Sequence, residues 1–539
     1  MDLEQDLERY ATVYPPRATL PPGAEVVRIA PSPTGRPHIG TALQAVIDRA
    51  VADHTSGVFI LRIEDTDRKR LHEGALAEIL AALQWLELSP DEGPQLGGDY
   101  GPYLQSERLA IYQDAAGWLV AQGHAYHCFC TTERLERIRQ QQQAAGQPPM
   151  YDRHCRWLPA EEVAQRLAAA EPSVIRLAVP QDTAIAFEDL IRGEIVFDSN
   201  TVDDQVLLKS DGFPTYHLAV VVDDHFMRVT TIVRGEEWIS STPKHLLLYQ
   251  YLGWPVPPIV HTPLLRDASR RKLSKRTGDT SIAWFQLQGY LPQGFRNFLT
   301  RIIWTHPEGK DVYPYAEFVR DFSLRDLSKT GPVVDLDLLD FINGHYLRML
   351  TTEALYTTTA SWLDHIVALD QEVGFEVAGR AERTTYAIGK DELTRFAAAF
   401  THDPAYSQQL LTLEPERFKK LSDIVLQCGF FYPDLFVAPS AELIAKPLGG
   451  IDKAAELLEA YQSYHRQDDT HEIWEAKVRE HAAAADIKAG KLFMTLRIVL
   501  TGSERTPPLY EVMQLLGEQE VERRLNLALN TCRAQIRRS

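Results

Sequence analysis

The sequence predicts an α/β protein: a doubly wound parallel sheet split by an inserted α+β segment, followed by an all-α C-terminal half. Three observations predict it. Residues 26–63 read strand, glycine-containing loop, helix, strand, which is a βαβ unit with a right-handed crossover. A second strand-and-helix pattern returns at 219–253, beyond an insertion of roughly a hundred residues. From residue 346 onward only amphipathic helical patterns remain.

The elements follow in order. VVRIA (26–30) is a short buried strand, and Pro31 to Gly40 is rich in turn residues. Leu43, Val46, Ile47 and Ala50 then share one helical face, which ends before Gly57, and VFILRI (58–63) is a second apolar strand. AVVV (219–222) and VTTIV (229–233) read as strands of the second half. Pro243 opens a helix that Gly253 closes. The insertion carries a polar helix around 132–145. Helices are expected at 391–400, 415–427, 440–446, 452–465, 471–484 and 509–533. The boundaries expected are an extension (1–21), first half of a Rossmann-like domain (22–110), insertion (111–206), second half (207–265), a linking region (266–345) and the helical region (346–539).

A chain of 539 residues needs more than one core. Hydrophobic residues at 45% and charged residues at 24% describe a folded soluble protein. The acidic start MDLEQDLERY has no apolar segment of a secretory signal, and no apolar run approaches the ~18 residues of a membrane helix. A cytoplasmic, monomeric protein with no membrane partner is expected. Five cysteines are a poor disulfide set, yet Cys128, Cys130 and Cys155 cluster in one segment. The net charge of −18 opposes nucleic-acid binding over the whole surface, but basic residues gather at 266–276 and 533–538.

Four strings carry chemistry. Pro31-Ser-Pro-Thr-Gly-Arg-Pro-His-Ile-Gly-Thr41 lies between the first strand and helix, where glycines and free helix N–H groups suit a phosphate. His38 could donate to charge developing on phosphorus; the bland alternative is a tight turn. Lys272-Leu-Ser-Lys-Arg276 offers mobile ammonium groups, or a solvated loop. Leu61-Arg-Ile-Glu-Asp-Thr-Asp67 puts carboxylates at a strand end facing a ligand crevice. The fourth string runs from Leu208 through Tyr216 to Asp224, with Arg234-Gly-Glu-Glu-Trp238 beyond it.

Together these strings resemble class I aminoacyl-tRNA synthetases of the glutamyl branch: PSPTGxxHxGT for the "HIGH" signature, KLSKR for "KMSKS", and RIEDTD. The resemblance covers residues 26–345 and is weaker beyond, where LTGSERTPP (500–508) carries it. It implies an acceptor-binding insertion, a stem-contact region and a helical anticodon-binding half. The activity implied is ATP- and Mg²⁺-dependent activation of L-glutamate, then transfer to tRNA-Glu, alone or with tRNA-Gln. His38 and Lys275 would be catalytic, and Gly35, Gly40, Thr41, Lys272 and Ser274 would join them in binding ATP. Glu64 would hold the α-ammonium and Arg234 the α-carboxylate. Arg28 and Tyr216 would read the side-chain carboxylate, with Ala30 and Ser32 completing the pocket. Val220 departs from the pattern, since relatives often carry Asn there.

Cys128, Cys130, Cys155 and Tyr151 resemble a zinc site of some relatives; His154 is the other candidate for fourth ligand, and Trp157 cannot ligate. His124, His127, His217 and His261 read as ordinary structural residues. Residues 101–108 border the acceptor end or simply turn into a helix. A tRNA-binding paralogue with a dead site would have lost His38 or Lys275. A glutaminyl-tRNA synthetase would follow its sheet with β-barrels rather than helices.

Overall fold

The computed structural model describes residues 3–273, 280–369, 372–378, 383–464 and 469–537. A helix, α1 (Leu3–Val13), precedes the first strand, β1 (Val26–Ile29). The turn-rich stretch leads into α2 (Ile39–Thr55), and β2 (Val58–Leu61) returns parallel to β1 with Arg28 opposite Ile60. Every residue of both strands is buried, which explains their unbroken apolar character. Gly57 sits at the tight return. A side chain there would place its Cβ 1.9 Å from the Glu25 carbonyl oxygen.

Helices α3 (Ala75–Trp85) and α4 (Leu109–Ala121) follow. The insertion then contributes β3 (Ala125–Cys128), α5 (Thr132–Ala144), α6 (Ala160–Ala168), β4 (Val174–Leu177), β5 (Ala184–Asp189), β6 (Gly193–Asp198) and β7 (Val206–Leu208). Strands β3, β4 and β7 make an antiparallel sheet, and β5 pairs antiparallel with β6. After α7 (Tyr216–Phe226) come β8 (Ile232–Gly235), α8 (Thr242–Tyr251) and β9 (Ile259–Thr262). Strands β8 and β9 are parallel, with Arg234 opposite His261, and β5 extends the same sheet beside β9. Thr230 N–H bonds the Val26 carbonyl at 2.9 Å, so the two halves of the split sheet meet edge to edge. Their shared core includes Val26, Ile60, Tyr112, Leu218, Val221, Phe226, Ile232 and Leu248.

One expected strand is absent. AVVV at 219–222 is the centre of α7, not a strand. Leu218 through Asp224 are all buried, so this helix is apolar around most of its circumference and shows no period. A short valine run inside such a helix mimics a buried strand.

The chain divides into two compact units, residues 1–284 with 295–336, and residues 285–294 with 337–539. The second unit is helical, as expected, and among its described residues β10 (Val373–Ala378) pairs antiparallel with β11 (Arg383–Ile388). Its first core joins Leu363, Phe375, Phe396, Phe400 and Ile424; its second joins Leu458, Tyr461, Trp474, Leu496 and Leu525. Helices at Thr352–Ala368, Pro404–Leu411 and Ala489–Thr501 were not among those expected. The expected helix 509–533 is two, divided at Gly517. Among the described residues no helix is long and apolar enough to cross a membrane.

Candidate active site

A cavity of about 450 Å³ opens where the strand ends of the split sheet meet α2 and α7. Arg28, Ala30, His38, Gly40, Thr41, Glu64, Tyr216, Arg234 and Lys272 all line it. Residues from five separate strings thus converge. Ser32 stands just outside the lining, its hydroxyl donating to the Glu64 carbonyl at 3.0 Å. Gly35 does not line the cavity. Ser274 and Lys275 lie outside the described residues, but both flanks of their loop, Lys272–Leu273 and Thr280, line the cavity beside His38.

The start of α2 is tied to that loop. Ile39 N–H bonds the Thr280 carbonyl at 2.9 Å, and Ile282 N–H bonds the Pro37 carbonyl at 3.0 Å. On the other flank Leu273 N–H bonds the Leu265 carbonyl at 3.0 Å. His38 is the N-cap of α2, and its Nδ1 accepts from Gly40 N–H at 3.0 Å. An accepting Nδ1 puts the imidazole proton on Nε2. Gly40 permits this pose, because an added Cβ would lie 2.9 Å from the ring Cε1.

Opposite this helix end sits an acid–base cluster. Arg28 forks onto Asp224, with Nε at 2.9 Å and NH2 at 3.1 Å, and its NH1 donates to the Val233 carbonyl at 3.1 Å. Arg62 shares Asp224 at 2.6 Å. Asp223 receives Arg108 at 2.7 Å, Gln105 at 2.9 Å and Tyr112. Residues 101–108 therefore brace α7 from behind. Burial pushes the Glu64 carboxyl up to about 7, although Arg62 and Arg28 oppose the shift. Glu64 Oε1 has no hydrogen-bond partner among the described residues, and Arg62 stays 3.6 Å away. A buried carboxylate left unsatisfied at a cavity wall suits an incoming cation. The ring of Tyr216 stacks on Trp238 at 4.1 Å, and burial pushes its hydroxyl up to about 12.

Arg234 is held differently. Its Nε donates to His261 Nε2 at 3.1 Å, NH1 to His245 Nδ1 at 2.8 Å and NH2 to Thr242 Oγ1 at 2.8 Å. His261 thus holds Arg234 directly, His217 reaches only His245, at 3.0 Å, and His245 was not singled out at all. Sequence spacing gives no sign of them, since only the β8–β9 register and the start of α8 bring them to Arg234. Val220 is buried in α7, with Arg234 and His245 lining the same small recess of about 10 Å³. It adds no donor there.

The cysteine cluster lies in the insertion. Cys130 Sγ is 3.5 Å from Cys155 Sγ, and the Tyr151 hydroxyl lies 3.3 Å from Cys128 and 3.4 Å from Cys130. The three sulfurs lie within 4.8 Å of one another, and the Tyr151 hydroxyl brings the donors to four, the count of a tetrahedral site. The neighbouring Cys155 thiol pulls the Cys128 thiol down to about 4, favouring the thiolate. His154 and Trp157 are exposed, and neither is among the converging groups.

Comparison with known proteins gives the family. Residues 25–341 match the model of the catalytic domain of tRNA synthetases class I (E and Q), and residues 390–529 match that of an anticodon binding domain. The class is therefore that of the class I tRNA synthetases. A glutamate–tRNA ligase of Gloeobacter violaceus is 61% identical over 523 residues, covering 97% of this chain and 98% of that protein. One from Dehalococcoides mccartyi is 40% identical over 504 residues, covering 93% and 97%. A glutamate tRNA ligase from Elizabethkingia meningosepticum, solved in complex with its amino acid, superposes with a TM-score of 0.75 at 32% identity, covering 94% of this chain and all of that one. The chain belongs to the glutamate–tRNA ligase family.

Proposed function

We propose that the chain ligates L-glutamate to tRNA at the cavity described above, through a glutamyl-adenylate. The carrying observation is convergence: the capped start of α2, the flanks of the Lys272–Arg276 loop, Glu64 and Arg234 line one cavity. The glutamate α-carboxylate attacks the α-phosphorus of ATP, and pyrophosphate leaves. A ribose hydroxyl of the terminal tRNA adenosine then attacks the acyl carbon, and AMP leaves. Class I chemistry favours the 2′-hydroxyl.

No protein nucleophile enters either step, so the residues act by position and charge. Thr41 presents its backbone N–H to phosphate, and Gly40, with no side chain, lets the backbone approach it. His38 offers Nε2–H, and Lys272, with Ser274 and Lys275 of the same loop, meets the leaving pyrophosphate. Bound Mg²⁺ would offset charge on the ATP oxygens. Glu64 takes the α-ammonium, Arg234 the α-carboxylate, and Tyr216, with the Nη hydrogens of Arg28 that Asp224 and Val233 do not take up, the side-chain carboxylate. Zinc fits the Cys128–Cys130–Tyr151–Cys155 cluster, where it would pin the insertion rather than take part in the reaction.

In the second unit a cavity of about 490 Å³ is lined by Arg417, Arg505, Tyr386, Phe430 and Phe431. Guanidinium and aromatic planes suit unstacked anticodon bases. The helical second unit also speaks against a glutaminyl-tRNA synthetase, and the retained His38 against an inactive paralogue. The test is glutamate-dependent ATP–pyrophosphate exchange in the presence of tRNA-Glu. Exchange should be lost with His38→Ala, and wild-type protein that never exchanges would refute the reading. Charging of purified tRNA-Glu and tRNA-Gln decides whether both are substrates.

A further inference from the structure

The two arginines of the cavity have opposite electrostatic settings. Arg28 lies against the Asp224 carboxylate, so its charge is compensated within the protein. Among the described residues no carboxylate forms an ion pair with Arg234; its three contacts are two imidazole nitrogens and a hydroxyl. Arginine only donates, so the protons of both imidazoles in contact with it are assigned. His245 Nδ1 accepts from Arg234, which puts the His245 proton on Nε2, facing His217 Nδ1 at 3.0 Å. His261 Nε2 accepts from Arg234, which puts its proton on Nδ1, and Asp189 Oδ2 receives it at 2.7 Å. Asp189 is itself fixed by the N–H groups of Ile191 and Arg192, both at 2.9 Å. Thr242, at the start of α8, has its hydroxyl 3.2 Å from the Trp238 carbonyl, which leaves a lone pair for Arg234.

We propose that His245 and His261 are positioning residues that hold Arg234 as an uncompensated cation, reserving its charge for the substrate α-carboxylate. The inference rests on reading this cavity as the glutamate site. Neutral acceptors fix the fork without cancelling it, whereas a carboxylate in the same place would satisfy Arg234 before the substrate arrived. The imidazoles also resist protonation: burial, with the charge of Arg234, pushes His245 well down, His261 is lowered despite Asp189, and burial takes His217 to about 3. Such rings remain acceptors over the working pH range.

The test separates charge from shape. Full-length His245→Gln and His245→Glu are compared for glutamate KM, ATP KM, kcat and thermal midpoint in aminoacylation. His245→Gln keeps a neutral acceptor and should hold the glutamate KM within about threefold of wild type. His245→Glu should raise it about tenfold or more while leaving the ATP KM unchanged. If the two variants shift the glutamate KM equally, the inference is overturned and His245 is structural. Should His245→Glu fail to fold, Thr242→Asp against Thr242→Asn makes the same comparison at the neighbouring nitrogen. Arg234→Ala is the control: an unchanged glutamate KM there would remove the site reading itself, whereas loss there with equal histidine variants removes only this inference.

Discussion

Glu64 is the residue whose titration should be visible in solution. Its carboxyl is raised to about 7 by burial, and an ammonium substrate needs the charged form. The glutamate KM should therefore rise as pH falls below about 7, by up to about tenfold per unit, and Glu64→Gln should raise it and flatten that profile. The sign for stability runs the other way. An unfolded Glu64 loses its proton near 4.5, so the folded form binds more protons between there and about 7, and this residue's contribution falls as pH rises through that window. Gly40→Ala is the second residue-scale prediction. Its Cβ would press on the His38 ring, so kcat should fall about tenfold or more with the glutamate KM little changed. His38, Glu64 and Lys272 were legible in the sequence because each sits in a local string with its chemical partners. His261 and Asp189 were not, because register across β5, β8 and β9 rather than spacing along the chain assembles them, and His245 was not, because it arrives on α8.

At the scale of elements, β1, β2 and α2 could be read because burial on one side, or on both, leaves a period or an unbroken run. Helix α7 could not, being buried nearly all round. The N-terminal extension has a role that its composition conceals. Tyr14 is buried against Phe226 and Tyr100, the Tyr14 carbonyl accepts from Arg228, and Arg17 pairs with Glu92 while its guanidinium lies over Tyr100. Removing residues 1–17 uncovers this aromatic cluster, and the thermal midpoint should fall by about 4 °C or more. The insertion offers a metal prediction. Purified protein should contain zinc by elemental analysis, Cys155→Ser should lose it, and a chelator should lower the melting transition of wild type.

Across the whole molecule, the two units should give separable kinetic signatures. Arg417→Ala, in the cavity of the helical unit, should raise the tRNA KM about tenfold while leaving the glutamate and ATP constants near wild type. Fluorescence titration of tRNA would check it independently of turnover. The helical character of residues 346–539 was readable from amphipathic spacing. The pairing of β10 with β11 was not, because four of the six β11 residues are exposed and Ile388 alone is buried, which leaves little alternation to detect.

The Glu25–Gly57 approach also carries an evolutionary corollary. With a carbonyl oxygen at 1.9 Å from any added Cβ, backbone blocks every replacement, and no rotamer can relieve it. Saturating codon 57 and selecting for growth should return glycine alone. Codon 450, where nothing lies within 4 Å, should drift freely, while the return of the first crossover stays a fixed letter.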